Sequence, residues 1–266
     1  MATTNRRKLA VVTGASSGIG FELAKQCIEH GFDVVVCAEQ GIDEAAIQLG
    51  VGARVAIPVT ADLRKRDGVE HLSRAIDELQ RPVDALLLNA GVGLGGSFIE
   101  TSLDDELDMI ALNCGHIVHL AKLQVPKMVA RGSGHVMMTG SVVSTTPNPF
   151  QAIYAATKAF VMSFGEALRF ELKDTGVTVT VLQPAATETN FFRRANLMDT
   201  AVGQAKKDTA ALVAKNGFEA MLAGKDSVLA GGLKGKLEGL MNEILPETFK
   251  AKQAAKTTAP GSGKKS

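Results

Sequence analysis

The chain has 266 residues, of which 45% are hydrophobic and 21% charged. That is the make-up of a globular protein and excludes a mostly disordered chain, a collagen or a coiled-coil rod. Its 29 basic and 28 acidic side chains leave a net charge of +1, which gives no broad electrostatic footprint for nucleic acid.

Short β-branched runs alternate with helical patterns from the start. Leu9–Thr13 reads as a buried strand before a glycine-rich turn, and Gly18–His30 as a helix with Ile19, Leu23 and Ile28 inward. Asp33–Cys37, Ala53–Val59 and Val83–Leu88 read as further strands. Arg66–Gln80 carries helical spacing at Val69, Leu72, Ile76 and Leu79. Thr101 or Ser102 can cap one long helix to Arg131, with Asp104, Asp105 and Glu106 in its acidic first turn. Strands at His135–Met138 and Val177–Leu182 flank a helix at Ala152–Lys173. A helix around Asp208–Leu222, an apolar run at Val228–Ala230 and a helical pattern from Leu233 to Leu245 follow. Lys250–Ser266, rich in Lys, Ala, Thr, Gly and Ser, is expected to be a mobile tail after one catalytic domain over 1–249. The alternation predicts an α/β fold, a doubly wound parallel sheet covered on both faces.

Cys27, Cys37 and Cys114 form no C-x-x-C pair. They are no disulfide framework, and a reducing, cytoplasmic setting is expected. The basic N-terminus has no long apolar run, so no secretory signal is expected. The uncharged stretch from Gly132 to Thr157 contains Pro147, Asn148 and Pro149 and is not a membrane span.

Thr13-Gly14-Ala15-Ser16-Ser17-Gly18-Ile19-Gly20 joins the first strand to the first helix. Glycines there let a pyrophosphate approach the backbone, and the helix start offers free N–H groups and a favourable dipole. Position after a strand and before a helix is the context such a motif needs for dinucleotide binding.

Tyr154, the single tyrosine, stands four residues before Lys158, on one helix face. A nearby ammonium favours phenolate and lowers the phenol pKa from about 10, which suits proton transfer to a substrate oxygen. The same short pair also arises as a buried tyrosine beside a solvated lysine.

TGASSGIG, Leu88-Asn89-Ala90-Gly91, Asn113, Ser141 and YAATK, in this order and spacing, resemble the compact branch of the short-chain dehydrogenase/reductase family. The resemblance spans roughly residues 8–245. It implies a Rossmann-like fold and an NAD(P)-dependent oxidoreductase acting on CH-OH donors. Tyr154 matches the general acid/base. Lys158 matches the residue that tunes it and holds the nicotinamide ribose. Ser141 matches the serine at the substrate oxygen, and Asn113 the asparagine that anchors a water in the proton relay. Asn89, Ala90 and Gly91 match the motif beside the cofactor, Asp62 the carboxylate near the adenine, and Thr189 the threonine at the nicotinamide side. With Gly14, Ser16, Ser17, Gly18, Ile19, Gly20, Glu39, Leu63, Pro184 and Thr187, these complete the expected cofactor site. Two positions depart from the family pattern: Leu88 replaces an asparagine and Ala185 a glycine.

Val143, Ser144, Thr145, Phe150, Ala186, Phe191 and Phe192 follow the fifth and sixth strands and are expected to line an apolar substrate pocket with hydroxyls. Arg193 and Arg194 stand next to an anionic substrate group or to solvent. Thr187–Asp208 is expected to form a lid. NAD(H) is favoured over NADP(H): Ala38 stands where relatives that use NAD carry Asp, and Glu39 where relatives that use NADP often carry Arg. With Ser17 in the loop, no cation is expected for a 2′-phosphate. The resemblance implies a homo-oligomer, a tetramer or dimer, built through the helices at Ser102–Arg131 and Ala152–Lys173.

Cys114, His116 and His119 look like metal ligands but fall mid-helix, so no metal is expected. No hydrolase triad accompanies His135, and the Lys-rich tail reads as solvated. Two other readings are a non-catalytic dinucleotide-binding regulator and a sugar-nucleotide epimerase or dehydratase.

Overall fold

In the computed structural model, residues 6–50, 55–231 and 246–263 are described. The elements in chain order are β1 (Lys8–Thr13), α1 (Gly18–Glu29), β2 (Phe32–Ala38), α2 (Ile42–Leu49), β3 (Ala56–Thr60), α3 (Arg66–Glu78) and β4 (Ala85–Leu88). Then follow α4 (Leu103–Ile110), a π-helical turn (Ala111–Gly115), α5 (His116–Arg131), β5 (Gly134–Thr139), a 3₁₀ turn (Val142–Thr145), α6 (Ala152–Glu171) and β6 (Val177–Pro184). The last are α7 (Phe191–Arg194), α8 (Ala201–Gln204), α9 (Ala210–Leu222), β7 (Ser227–Ala230) and α10 (Glu247–Thr258).

The seven strands form one sheet in the order β3-β2-β1-β4-β5-β6-β7. Every neighbouring pair is parallel, with Val12 opposite both Val36 and Leu87. Because successive strand residues face opposite sides, Leu9 and Val11 enter one apolar layer and Ala10 and Val12 the other. The first layer holds Ile76 of α3, Ile117 of α5 and Val161 of α6; the second holds Leu23 of α1, Ile42 of α2 and Phe218 of α9. Burial on both faces explains why the strands read as continuous apolar runs. The strand order reverses at β1 and β4, which opens a crevice at the carboxyl ends of the strands.

Two expectations change, and one element is new. The short helix α2 had no counterpart in the sequence reading. The single long helix to Arg131 is broken by the π-helical turn, although Ser102 does cap its start, accepting from Asp105 N at 3.4 Å. The supposed mobile tail contains α10, whose Thr258 hydroxyl donates to the Pro149 carbonyl at 2.8 Å. Lys250 and Thr258, both buried, anchor it against the chain after β5, a tertiary contact that a composition count does not register. The helix expected at Leu233–Leu245 lies outside the described residues.

Candidate active site

The crevice is a cavity of about 680 Å³. At one end the turn after β1 presents Gly14, Ser16, Ser17, Gly18, Ile19 and Gly20. A side chain cannot replace the hydrogen of Gly20, because a Cβ would fall 2.1 Å from the Gly14 carbonyl oxygen. Gly14 itself has φ of +68° and would bring a Cβ to 2.8 Å from Ala90 Cα. The turn therefore needs glycine for its own closure as well as for a ligand's approach. Ser17 is the N-cap of α1 yet makes no side-chain cap, so the first N–H groups of that helix face the cavity uncapped by it. This donor set fits a pyrophosphate.

Thr13 ties this turn to the neighbouring strand. Its hydroxyl accepts from Asn89 N at 2.9 Å and Ala90 N at 3.0 Å, and so donates to His116 Nε2, 3.4 Å away. His116 Nδ1 then donates to the Leu112 carbonyl. Burial pushes the His116 imidazole down to about 4, which keeps it neutral in this chain of hydrogen bonds. A histidine mid-helix carries no sequence signal for this role. Cys114 and His119 point elsewhere: Cys114 Sγ lies 3.8 Å from the Thr157 carbonyl oxygen, and His119 lies 4.0 Å from Glu70. Among the described residues no His, Cys, Asp and Glu side chains cluster as a metal site.

At the other end β5 delivers Ser141 and α6 delivers Tyr154 and Lys158, all three buried and all lining the cavity. Burial pushes the Tyr154 phenol up to about 12, a rise that the lowering influence of the Ser141 side chain only reduces. Lys158 Nζ donates to the Thr139 carbonyl at 2.8 Å and lies 5.8 Å from the Tyr154 ring centroid. Burial pushes this ammonium down to about 8. The expectation of a depressed tyrosine is thus corrected: with Lys158 turned to a carbonyl, the cost of a buried phenolate prevails.

Asn113 sits behind the cavity wall. Its Nδ2 donates to the Val92 carbonyl at 2.9 Å and to Thr157 Oγ1 at 3.0 Å, while its Oδ1 accepts from Val92 N at 2.9 Å. The side chain is thus used to hold the π-helical turn against the chain after β4, and no side-chain N–H remains for a relay.

Glu39, Asp62, Leu63, Asn89, Ala90, Gly91, Pro184, Thr187 and Thr189 line the cavity. So do Val143, Ala186, Phe191 and Phe192 on the substrate side, where the Phe191 ring stands 5.3 Å from that of Tyr154. Phe150 does not line it. Its φ of +63° turns the chain and aims its carbonyl at Gly96 N, 2.9 Å away; Gln151 lines the wall instead. Ser144 and Thr145 are also displaced from the lining: Ser144 Oγ accepts from Ser141 N at 3.1 Å, and the Thr145 carbonyl accepts from Lys250 at 3.3 Å. The stretch expected as a lid contains α7 and α8 and a two-residue parallel bridge between Thr187–Glu188 and Asp208–Thr209. Arg194 reaches the cavity, whereas Arg193 is held by Asn190 at 2.9 Å.

The most consequential omission is Arg64. It lines the cavity with Nη2 2.7 Å from Glu39 Oε1. The expectation that no cation is at hand there is wrong, because Arg64 is 25 residues distant in sequence and brought in by β3. Its guanidinium holds the Asp62 carboxyl below the usual carboxylate range.

A family model described as short chain dehydrogenase matches residues 8–200. The chain belongs to the short-chain dehydrogenase/reductase family. The dehydrogenase is 35% identical over 196 residues to an uncharacterized short-chain type dehydrogenase/reductase of Sinorhizobium fredii, covering 73% of this chain and 76% of that one. It is 29% identical over 216 residues to an NADP-dependent 3-hydroxy acid dehydrogenase of Salmonella typhi, covering 80% and 87%. A short-chain dehydrogenase from Sphingobium yanoikuyae in complex with NADPH superposes with a TM-score of 0.78 at 27% identity, covering 90% and 96%. One from Burkholderia phymatum in complex with NAD gives 0.75 at 25% identity, covering 84% and 88%. The dehydrogenase is accordingly a nicotinamide-dependent oxidoreductase that carries out hydride transfer. Among its described residues no helix is long and apolar enough to cross a membrane.

Proposed function

We propose that the dehydrogenase reduces a ketone to a secondary alcohol, with Tyr154 as general acid. The observation that carries this reading is that Ser141, Tyr154 and Lys158, all buried, line the same cavity as the phosphate-binding turn. The bound nicotinamide cofactor supplies the hydride. Ser141 and Tyr154 hold the substrate carbonyl oxygen between two hydroxyls, and Tyr154 protonates that oxygen as charge develops on it. A phenol pushed up to about 12 is protonated at neutral pH, the state from which it can donate a proton to the substrate oxygen. Lys158 supplies positive charge beneath the ring and holds the nicotinamide ribose hydroxyls. Asn113 acts by fixing the π-helical turn, from which α5 and the wall opposite Lys158 are built.

The pocket takes ketones with an apolar flank. Val143, Ala186, Phe191 and Phe192 supply that surface, and the exposed Arg194 lies at its rim without an ion pair among the described residues. NAD(H) is favoured, since Glu39 stands at the end of β2 where it can accept from the ribose 2′-hydroxyl. The dehydrogenase works in the cytoplasm, a setting that suits three free thiols, two of them buried. It assembles as a homo-oligomer, a tetramer, through α4, α5 and α6. Leu103, Leu107 and Ile110 are exposed along α4, with Val118 on α5 and Phe160 on α6, apolar side chains that association would bury.

A panel of ketones and alcohols, assayed with each cofactor by absorbance of the reduced nicotinamide, tests the reading. Turnover of aliphatic or aromatic ketones supports it; activity confined to sugar-nucleotide epimerisation contradicts it.

A further inference from the structure

Arg64 is held by three carboxylates at the end of the cavity formed by β2 and β3. Its Nε lies 2.8 Å from Asp62 Oδ1 and its Nη2 3.1 Å from Asp62 Oδ2, a two-pronged grip. Its backbone N–H also donates to Asp62 Oδ1, at 3.1 Å. The same Nη2 reaches Glu39 Oε1 at 2.7 Å, and Nη1 reaches Asp108 Oδ2 on α4 at 3.2 Å. These partners are not equal. The Asp62 side chain is 18% exposed, whereas Glu39 is 51% and Asp108 58% exposed. Exposed ion pairs contribute little, so Glu39 and Asp108 are exchangeable partners and Asp62 is the pivot.

We propose that Arg64 is the residue that receives the 2′-phosphate of NADP(H), and that Glu39 competes with that phosphate for it. The inference rests on the reading above that Glu39 addresses the ribose 2′-oxygen. A phosphate on that oxygen would sit against the Glu39 carboxylate and within about two hydrogen-bond lengths of the guanidinium that Glu39 already grips. Keeping its fork on Asp62, Arg64 exchanges the Glu39 carboxylate for the phosphate, and Glu39 swings towards solvent. With NAD(H) the pair stays closed enough for Glu39 to accept from the 2′-hydroxyl. Cofactor choice then belongs to the Glu39–Arg64 pair and not to the end of β2 alone. The dehydrogenase accepts both cofactors, and Asp62 and Asp108 on the cation keep the balance on the side of NAD(H).

The test is a double-mutant cycle read by equilibrium binding of NADH and NADPH, through dihydronicotinamide fluorescence, in Glu39→Gln, Arg64→Gln and the double variant. Arg64→Gln should weaken NADPH tenfold or more and change NADH less than threefold. Glu39→Gln should tighten NADPH, and that gain should vanish in the double variant. Arg64→Gln weakening both cofactors equally would overturn the proposal, as would a Glu39→Gln gain that persists without Arg64. Should Arg64→Gln fail to fold, Arg64→Lys keeps the charge and loses the fork. It should lower NADPH affinity by less than tenfold and leave NADH unchanged, and equal losses for both cofactors would again overturn the proposal. The wild-type ratio is a separate readout: a preference for NADPH removes the NAD(H) reading while the cycle still judges Arg64.

Discussion

Lys158 gives its short hydrogen bond to the Thr139 carbonyl, at 2.8 Å, and meets Tyr154 through the ring, 5.8 Å from its centroid. The ammonium therefore links the end of β5 to the helix that carries the acid, and its own proton is loosely held, burial having pushed it down to about 8.

The first prediction follows from that value. Between neutral pH and 9 the Tyr154 phenol stays protonated while Lys158 loses its charge. Because kcat/KM for the reduced cofactor reports groups of the free enzyme, it should fall as pH rises through about 8, approaching tenfold per pH unit. Lys158→Arg, which cannot be deprotonated in this range, should move the fall above pH 10 even if its maximum is lower. A wild-type profile flat from pH 6 to 10 would contradict the role given to the ammonium.

A second prediction concerns stability. His116 titrates near 6.5 when free and is pushed down to about 4 by burial. Between those values the unfolded chain binds the proton and the folded one does not, so stability is intact above pH 6.5 and is lost as pH falls towards 4. The shift corresponds to an upper bound of roughly 3 kcal/mol. His116→Gln should be less stable at pH 7, since the Leu112 carbonyl loses its Nδ1–H donor. It should also show a shallower decline in melting temperature between pH 6.5 and 4. Parallel declines in the two proteins would show that His116 does not titrate there.

A third prediction concerns the C-terminal helix. Beyond the Thr258–Pro149 contact, Gly261 N donates to Asp199 Oδ2 at 2.7 Å and Ala201 N donates to Ser262 Oγ at 3.0 Å. The segment so joins the chain after β5 to the stretch carrying α7 and α8, the two walls of the substrate end. Asp199→Ala with Thr258→Val should raise KM for bulky ketones several-fold and speed protease cleavage between residues 187 and 208. The Kd for the cofactor should hold within twofold. A change in cofactor Kd equal to that in ketone KM would place the effect on the whole fold.

The sheet was legible in the sequence because its strands are apolar on both faces and separated by amphipathic helices. The phosphate-binding turn was legible because its glycines are set by local geometry. Arg64 was not, because its partner Glu39 is 25 residues away and only the β2–β3 pairing brings them together. Phe150 failed for the opposite reason: its position after β5 is right, but a left-handed backbone redirects it, and no residue type announces that at a phenylalanine. The expected depression of the tyrosine rested on sequence spacing to Lys158. Spacing fixes a shared helix face; burial and the competing Thr139 carbonyl fix the charge.

The central claim is that the Tyr154 hydroxyl is the proton donor, and single-turnover ketone reduction by Tyr154→Phe tests it most directly. The substitution removes one oxygen from a buried ring that packs on Phe191 and should leave cofactor Kd within about threefold. The rate of reduced-nicotinamide consumption is expected to fall about 10²–10⁴-fold, the range of general acid catalysis. A rate within threefold of wild type, on a ketone the wild type turns over, would contradict the account.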